Sequence, residues 1–275
     1  MFNRYAWLAC AIASFSALVL AEPAHAGTFD VSISPPRIEQ RAKPGKIARN
    51  SLAITNFASE PGRYLVKTAD WGLTEEGRVT FNEGAPDERS CRPWVRIERR
   101  QLTVPAGATK GYRFEVHVPA GVEAGECRFA LLLSADPKAV EPMGLGNISF
   151  PVVGRLAVIV YVTVGKARAD LKLRGLEMRE RQGQTVPVVL LENTGNAHGR
   201  PAGDLTAVDA SGRKTILAVE PFPVLPGETR AITLQPVDRL RQGSQDQAFA
   251  LKPPFTIRGK IQWDGGSTKL DQVVR

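Results

Sequence analysis

Residues 112–118, YRFEVHV, alternate strictly between apolar and polar side chains. The tyrosine, the phenylalanine and the two valines fall on one side, while Arg113, Glu115 and His117 fall on the other. Successive side chains of a β-strand point to opposite faces, so a period of two residues is typical of a strand with one buried side and one solvent-facing side. This stretch therefore predicts a half-buried strand.

The same alternation recurs along most of the chain, and no convincing helical periodicity follows the first 26 residues. Alternating runs lie at residues 52–54, 64–68 and 129–133, and residues 156–164 are apolar on both faces, as expected for a central strand. Proline and glycine separate these runs. Many short strands divided by such turn signals predict a β-sandwich.

Two sequence markers occur twice and in the same order. A strand that ends in a turn-forming asparagine occurs at Asn56 and again at Asn193. Each is followed by a Pro/Gly turn that precedes another alternating strand, at residues 104–107 (VPAG) and 225–227 (LPG). The repetition predicts an all-β protein in which two immunoglobulin-like β-sandwich domains follow one another.

The first 26 residues have the features of a cleaved signal peptide. Arg4 supplies the positive start, residues 8–21 form a short apolar run, and AHA at residues 24–26 is a small-residue cleavage site. The run is too short for a membrane span, and no later segment reaches the required length. We therefore expect export to the periplasm. The predicted divisions are a signal peptide at residues 1–26 and β-sandwiches at residues 27–167 and 168–275.

Cys91 and Cys127 are the two cysteines outside the predicted signal peptide. In an oxidising compartment such a pair predicts a disulfide, and two free buried thiols are the alternative. A metal site is not predicted, because only His117 and His198 are available to help the cysteines. His198 lies in a glycine-rich loop, where a lone histidine is typical of the surface.

The chain carries a formal net charge of +8, but its basic residues are scattered along strands. It has no RNP-like aromatic motif and no helix-turn-helix pattern, so a nucleic-acid partner is not expected. It also has no nucleophile elbow, phosphate-binding loop or zinc-protease motif. The sequence therefore predicts a protein that is not an enzyme and has no cofactor and no small-molecule substrate.

An ordered set of motifs resembles the N-terminal immunoglobulin-like domain of PapD-like periplasmic pilus chaperones. The resemblance covers roughly residues 28–167, and the second half of the chain is only generically immunoglobulin-like. The motifs are VSISPPR (31–37), LAITNFASEPGRYLVKTADW (52–71), SCRPWVRI (90–97), QLTVPAGATKGYRFEVHVP (101–119) and GECRFALLLS (125–134).

This resemblance implies a chaperone for pilus, fimbrial or surface-fibre subunits, with an outer-membrane usher as a second candidate partner. Such a chaperone donates a strand to an incomplete subunit, which is a form of β-augmentation. The resemblance assigns Arg37, and Arg155 or a close neighbour, to the subunit's C-terminal carboxylate. It also implies that the donated side chains are those of Ile148, Phe150 and Val152.

The residues alone leave a different interpretation open. Arg37 follows Pro35 and Pro36, and without the resemblance it would be taken as a surface arginine at a strand edge. The protein would then be a periplasmic immunoglobulin-like structural or protein-binding module without chaperone activity. The two interpretations differ in one feature, since a strand-donating chaperone needs an unpaired edge that a module with closed edges lacks.

Overall fold

The structure is a computed structural model, in which the predicted signal peptide lies outside the described residues. The residues that the structure describes are 29–137, 143–145, 148–150, 154–181, 183–237 and 253–274. They form β-strands and one short 3-10 helix, Arg92–Trp94.

The first half of the chain contains twelve strands within the described ranges. They are β1 (Val31–Ser34), β2 (Arg37–Ala42), β3 (Ile47–Asn56), β4 (Gly62–Leu73), β5 (Val79–Asn82), β6 (Val95–Ile97), β7 (Gln101–Val104), β8 (Thr109–His117), β9 (Gly125–Ala135), β10 (Met143–Leu145), β11 (Ile148–Phe150) and β12 (Arg155–Val164). Ten of them form two layers, with strand orders β1-β3-β8-β6 and β2-β12-β9-β4-β5, and β7 pairs with β4. The remaining two, β10 and β11, pair with each other.

Strand β8 carries the alternating stretch that predicts a half-buried strand, and the structure confirms the prediction. Tyr112, Phe114 and Val116 are fully buried in the core between the two layers. Phe114 meets Phe129 of the opposite layer edge to face, with ring centroids 5.9 Å apart. Burial of apolar side chains from both layers is the main stabilising contribution in such a sandwich.

The chain passes from one layer to the other between β1 and β2. Strand β1 pairs antiparallel with β3, whereas β2 pairs parallel with β12, beginning with Arg37 opposite Ile159. Pro35 and Pro36 lie at the crossing, and neither has a backbone N–H to continue a ladder. Arg37 is therefore the first residue of the chain in the second layer.

The second half of the chain forms one antiparallel sheet of seven strands that surrounds its own hydrophobic core. The strands are β13 (Leu171–Arg181), β14 (Gln184–Asn193), β15 (Asp204–Asp209), β16 (Lys214–Val219), β17 (Thr229–Pro236), β18 (Phe255–Trp263) and β19 (Gly266–Val274), in the order β13-β14-β17-β16-β15-β18-β19. The predicted class, all-β with two immunoglobulin-like sandwiches, is confirmed. The predicted boundary after residue 167 falls between β12 and β13 and stays a prediction.

In each sandwich the asparagine at the strand end contacts the segment that carries the Pro/Gly turn, so the two repeated sequence markers lie together. Asn56 and Asn193 have no solvent exposure. The amide of Asn56 donates to the carbonyl oxygen of Val104 (3.2 Å), and that of Asn193 donates to the carbonyl oxygen of Val224 (2.9 Å). In both halves a buried asparagine thus ties the end of a strand to the segment before the Pro/Gly turn.

The structure joins Cys91 and Cys127 in a disulfide whose Cα atoms are 5.3 Å apart. On the chain-entropy account, opening a loop of this size destabilises the folded state by about 3–4 kcal/mol. We expect replacement of both cysteines by serine to lower the free energy of unfolding by that amount, measured by urea denaturation. Two titratable thiols in unfolded, non-reduced wild-type protein would contradict the bridge.

Candidate polypeptide-binding site

The first half of β12 has an open edge. On one side β9 pairs with the whole strand, beginning with Ser134 opposite Arg155. On the other side β2 pairs only from Ile159 onward. Among the strands that the structure describes, none lies opposite residues 155–158 on that side. An open edge of this kind is a template for pairing with another polypeptide.

The backbone hydrogen bonds show which groups point toward the open side. The N–H of Ile159 donates to the carbonyl oxygen of Pro36 (3.1 Å), on the β2 side. The carbonyl oxygen of Gly154 accepts from Ala135 (3.3 Å), on the β9 side. Because backbone groups alternate along a strand, the N–H and C=O of Ala157 point to the open side. By the same alternation the N–H and C=O of Arg155 point there too, so Ala157 and Arg155 are the residues at which an added strand would bond.

Arg37 and Arg155, the two predicted anchors, lie on the same face of this layer. Arg37 is opposite Ile159, and Arg155 precedes Ile159 by an even number of residues on the same strand. Their positions along β12 are about 13 Å apart at the usual rise per residue. Each side chain is half exposed, at 50%.

Each of the two arginines already contacts a glutamate of its own sandwich. Arg37 Nε lies 3.0 Å from Glu39 Oε1, and Arg155 Nη1 lies 2.8 Å from Glu83 Oε1. The other oxygen of Glu83 lies 3.2 Å from Lys67 Nζ, and this hydrogen bond lowers the pKa of the Glu83 carboxyl below its usual value. A carboxylate that arrives from outside must therefore compete with an internal one.

The second sandwich packs against the same face, next to the open edge. Trp71 and Tyr161 meet edge to face with ring centroids 5.1 Å apart, and Leu225 of the second sandwich joins their buried apolar cluster. Burial raises the pKa of Tyr161 to about 12. The hydroxyl therefore remains protonated near neutral pH, and its oxygen accepts a hydrogen bond from Arg200 Nη2 (3.2 Å).

His198 is not a surface residue, so the sequence-based prediction for it was wrong. Its side chain is only 10% exposed, and its Nδ1 lies 2.6 Å from Oε2 of the buried Glu126. Its ring stacks on that of Tyr161, with centroids 3.9 Å apart. The signal that could have revealed this contact is Glu126 itself, because a carboxylate in an apolar strand needs a polar partner.

The two sandwiches enclose a cleft of about 470 Å³, here called the interdomain cleft. Its lining residues are Glu39, Arg41, Glu126, Thr163, Lys166, Ala167, Arg168, Ala169, Ala197, His198, Arg200, Asp264 and Gly265. Across this cleft Arg41 Nη2 lies 2.9 Å from Asp264 Oδ2. Glu39 Oε1 lies 3.6 Å from Arg200 Nε and 3.7 Å from His198 Nε2. Glu39 is thus located between Arg37 and two side chains of the second sandwich.

The predicted strand-donating residues do not lie in β12. Ile148 and Phe150 belong to β11, whose backbone pairs antiparallel with β10 so that they are in register with Leu145 and Met143. Val152 lies outside the described residues. The donation of these three side chains therefore stays a prediction.

The described part of the chain offers no metal site, since no group of three or more histidine, cysteine, aspartate or glutamate side chains is placed to hold an ion there. Over the same residues, no helix has the length and apolar character that a membrane span requires.

No family model matches the chain, and no curated protein matches it. Solved structures do match. A chaperone–tip adhesin complex of CFA/I fimbriae biogenesis gives a TM-score of 0.47 at 13% identity, over 89% of this chain and 98% of the other. The CsuC–CsuE chaperone–tip adhesion subunit complex of Acinetobacter baumannii gives 0.44 at 14% identity, over 89% and 97%. The SafB chaperone in complex with the SafA pilin of Salmonella enterica gives 0.44 at 12% identity, over 89% and 96%.

Proposed function

We propose that the chain is a periplasmic chaperone that holds pilus, fimbrial or other surface-fibre subunits by strand complementation at β12. The observation that carries the proposal is the open edge at residues 155–158, which β2 does not cover because it begins opposite Ile159. An incomplete subunit would gain backbone hydrogen bonds along this edge, and it would cover an edge that otherwise favours aggregation.

The direction of the client strand follows from the position of β2. Strand β2 runs parallel to β12, and Arg37 is its first residue. A client strand that continues the line of β2 and also runs parallel to β12 ends at Arg37. Its C-terminal carboxylate then meets a guanidinium group, which can bind both carboxylate oxygens at once. Arg155 lies on the same face, about 13 Å from Arg37 along β12. It would have to leave Glu83 and extend toward Arg37 to give the carboxylate a second cation.

The side chains that would fill the pockets of the client subunit come from the segment just before β12. Ile148, Phe150 and Val152 alternate in the sequence, as the side chains of a donated strand must in order to fill pockets on one face of a subunit. In this proposal the segment extends β12 upstream when a client binds. An outer-membrane usher would receive the complex.

A second candidate function is an immunoglobulin-like protein-binding or structural module without chaperone activity. Two observations favour it: both arginines already contact internal glutamates, and β11 pairs with β10. In that case Arg37 and Arg155 contribute only to the surface, and replacing them has no effect on partners.

The two functions are separated by co-expression with small exported subunits encoded in the same genome. We expect Arg37→Ala and Arg155→Ala each to weaken the stoichiometric complex by about 10–100-fold, because a hydrogen bond to a charged group contributes about 1.5–3 kcal/mol. The measurement is co-purification followed by titration.

Arg49→Ala is the matched control for these variants. Arg49 is an exposed strand arginine whose Nε lies 2.9 Å from Glu115 Oε1, but it belongs to β3 in the other layer. We expect this variant to bind like the wild type. Unchanged complexes in both Arg37→Ala and Arg155→Ala would support the module without chaperone activity.

A further inference from the structure

We propose that Glu39 is an internal competitor for the client's carboxylate, and that it moves from Arg37 to Arg200 when the client binds. The inference rests on the proposed function, because it concerns the same carboxylate anchor. It assigns to Glu39 a role in setting affinity and in linking client binding to the contact between the two sandwiches.

The position of Glu39 gives it two alternative sets of partners. Its Oε1 lies 3.0 Å from Arg37 Nε in the first sandwich. The same oxygen lies 3.6 Å from Arg200 Nε and 3.7 Å from His198 Nε2 in the second sandwich. The first contact has hydrogen-bond length, whereas the other two are a few tenths of an ångström too long.

The second sandwich contains a hydrogen-bond donor without a partner at the place to which the Glu39 carboxylate would move. Arg200 Nε is buried and has no hydrogen-bond partner among the described residues. Other nitrogen atoms of Arg200 and His198 already have partners. Arg200 Nη2 donates to the Tyr161 hydroxyl oxygen, and His198 Nδ1 lies against Glu126. A buried donor without a partner destabilises the protein, so a small shift of Glu39 toward Arg200 removes a penalty there.

This arrangement lowers the free-energy cost of separating Glu39 from Arg37. When a client carboxylate takes Arg37, Glu39 does not have to return to water alone, because it completes the hydrogen bond to Arg200. The exchange strengthens a contact between the two sandwiches at the moment of binding. Glu83 differs in this respect, because the two cations that it contacts among the described residues, Arg155 and Lys67, both belong to the first sandwich.

The test uses the full chain and two synthetic peptides of alternating threonine and valine, one with a free C-terminal carboxylate and its amidated twin. We expect Glu39→Gln to bind the carboxylate peptide about two- to fivefold more tightly than the wild type, the range expected from removing one half-exposed ion pair. Its affinity for the amidated peptide should not change. Calorimetric titration measures both.

Glu115→Gln controls for the loss of one negative charge. Glu115 contacts an arginine and a histidine in the same manner as Glu39, with Arg49 Nε at 2.9 Å and His117 Nε2 at 2.8 Å, but it lies on the other layer. We expect its affinity for both peptides to equal that of the wild type. A gain as large as that of Glu39→Gln would mean that net charge alone acts, which would overturn the proposal.

A second readout follows the movement itself. In ¹⁵N-resolved NMR spectra, the Nε–H signal of Arg200 should shift downfield when the carboxylate peptide binds to the wild type. It should not shift with the amidated peptide or in Glu39→Gln. A stationary signal, or unchanged affinity in Glu39→Gln, while Arg37→Ala still weakens binding, overturns the exchange and leaves the anchor intact. If the wild type does not distinguish the two peptides, both the anchor and the exchange are wrong.

Discussion

The variant Ala157→Pro is expected to lose client capture while it keeps the fold. The N–H of Ala157 points to the open side of β12 and not to β9, so proline removes no bond of the existing ladder. It does remove the donor that an added strand needs, and its ring obstructs the approaching backbone. A client carbonyl oxygen that is buried without this donor costs about 1–3 kcal/mol, which corresponds to about a 5- to 150-fold loss of affinity, and the clash of the ring adds to it.

Ala157→Ser is the matched control, because serine keeps the backbone N–H and adds only a hydroxyl. Both variants should unfold at nearly the wild-type temperature, and only the proline variant should fail to co-purify with a subunit. If Ala157→Pro retains the complex, the client does not pair with β12 at this position. Proposals for strand complementation would then have to use a different edge, such as that of β19.

Because β2 begins at Arg37, it covers one part of the edge of β12 and leaves the part before Ile159 open. From Ile159 to Val164 the edge of β12 is covered by β2, so the strand is central there. Upstream of Ile159 the covering strand has crossed to the other layer, because the two prolines before Arg37 cannot continue the ladder. The same crossing therefore exposes the edge and positions a cation at its end.

Local patterns were sufficient to predict much of this fold. Alternation in β8 predicts its buried face, and the recurrence of the Asn and Pro/Gly markers predicts two sandwiches. These features could be read from the sequence because a strand's pleat and a turn's backbone depend on residues close together in the chain. The pairing of Cys91 with Cys127 was predicted by elimination, since the export signal leaves only these two.

The contacts between the sandwiches could not be predicted in this way. His198 and Glu126 are separated by 72 residues, and neither lies in a motif that names its partner. Likewise, the contact of Glu39 with Arg200 depends on how the two sandwiches pack, which no local pattern records. The order of the strands adds a further unknown, because the parallel pairing of β2 with β12 is set by a crossing between layers.

The second variant with a large expected effect is Asn193→Ala. The Asn193 side chain donates to the carbonyl oxygens of Ala197 (2.8 Å) and Val224 (2.9 Å), and its Oδ1 accepts from the N–H groups of Asp170 (3.1 Å) and Gly195 (2.9 Å). Alanine leaves the carbonyl oxygen of Ala197 and the N–H groups of Asp170 and Gly195 without this partner, while the carbonyl oxygen of Val224 keeps only its bond from the Gly199 N–H (3.1 Å). Asn193 itself has no solvent exposure. Each unsatisfied buried group costs about 1–3 kcal/mol, and partial entry of water reduces the sum. We expect the free energy of unfolding to fall by about 4–6 kcal/mol, measured by urea denaturation.

Asn196→Ala is the control, because Asn196 also makes two hydrogen bonds but is exposed. Water can replace those bonds, so we expect a loss of less than about 1 kcal/mol. Equal losses in the two variants would mean that burial does not decide the cost, which is contrary to the role assigned to Asn193. If Asn193→Ala is severe and Asn196→Ala is not, the asparagine of the repeated marker is a structural requirement of the second sandwich. Its recurrence then reflects folding and not recognition of a client.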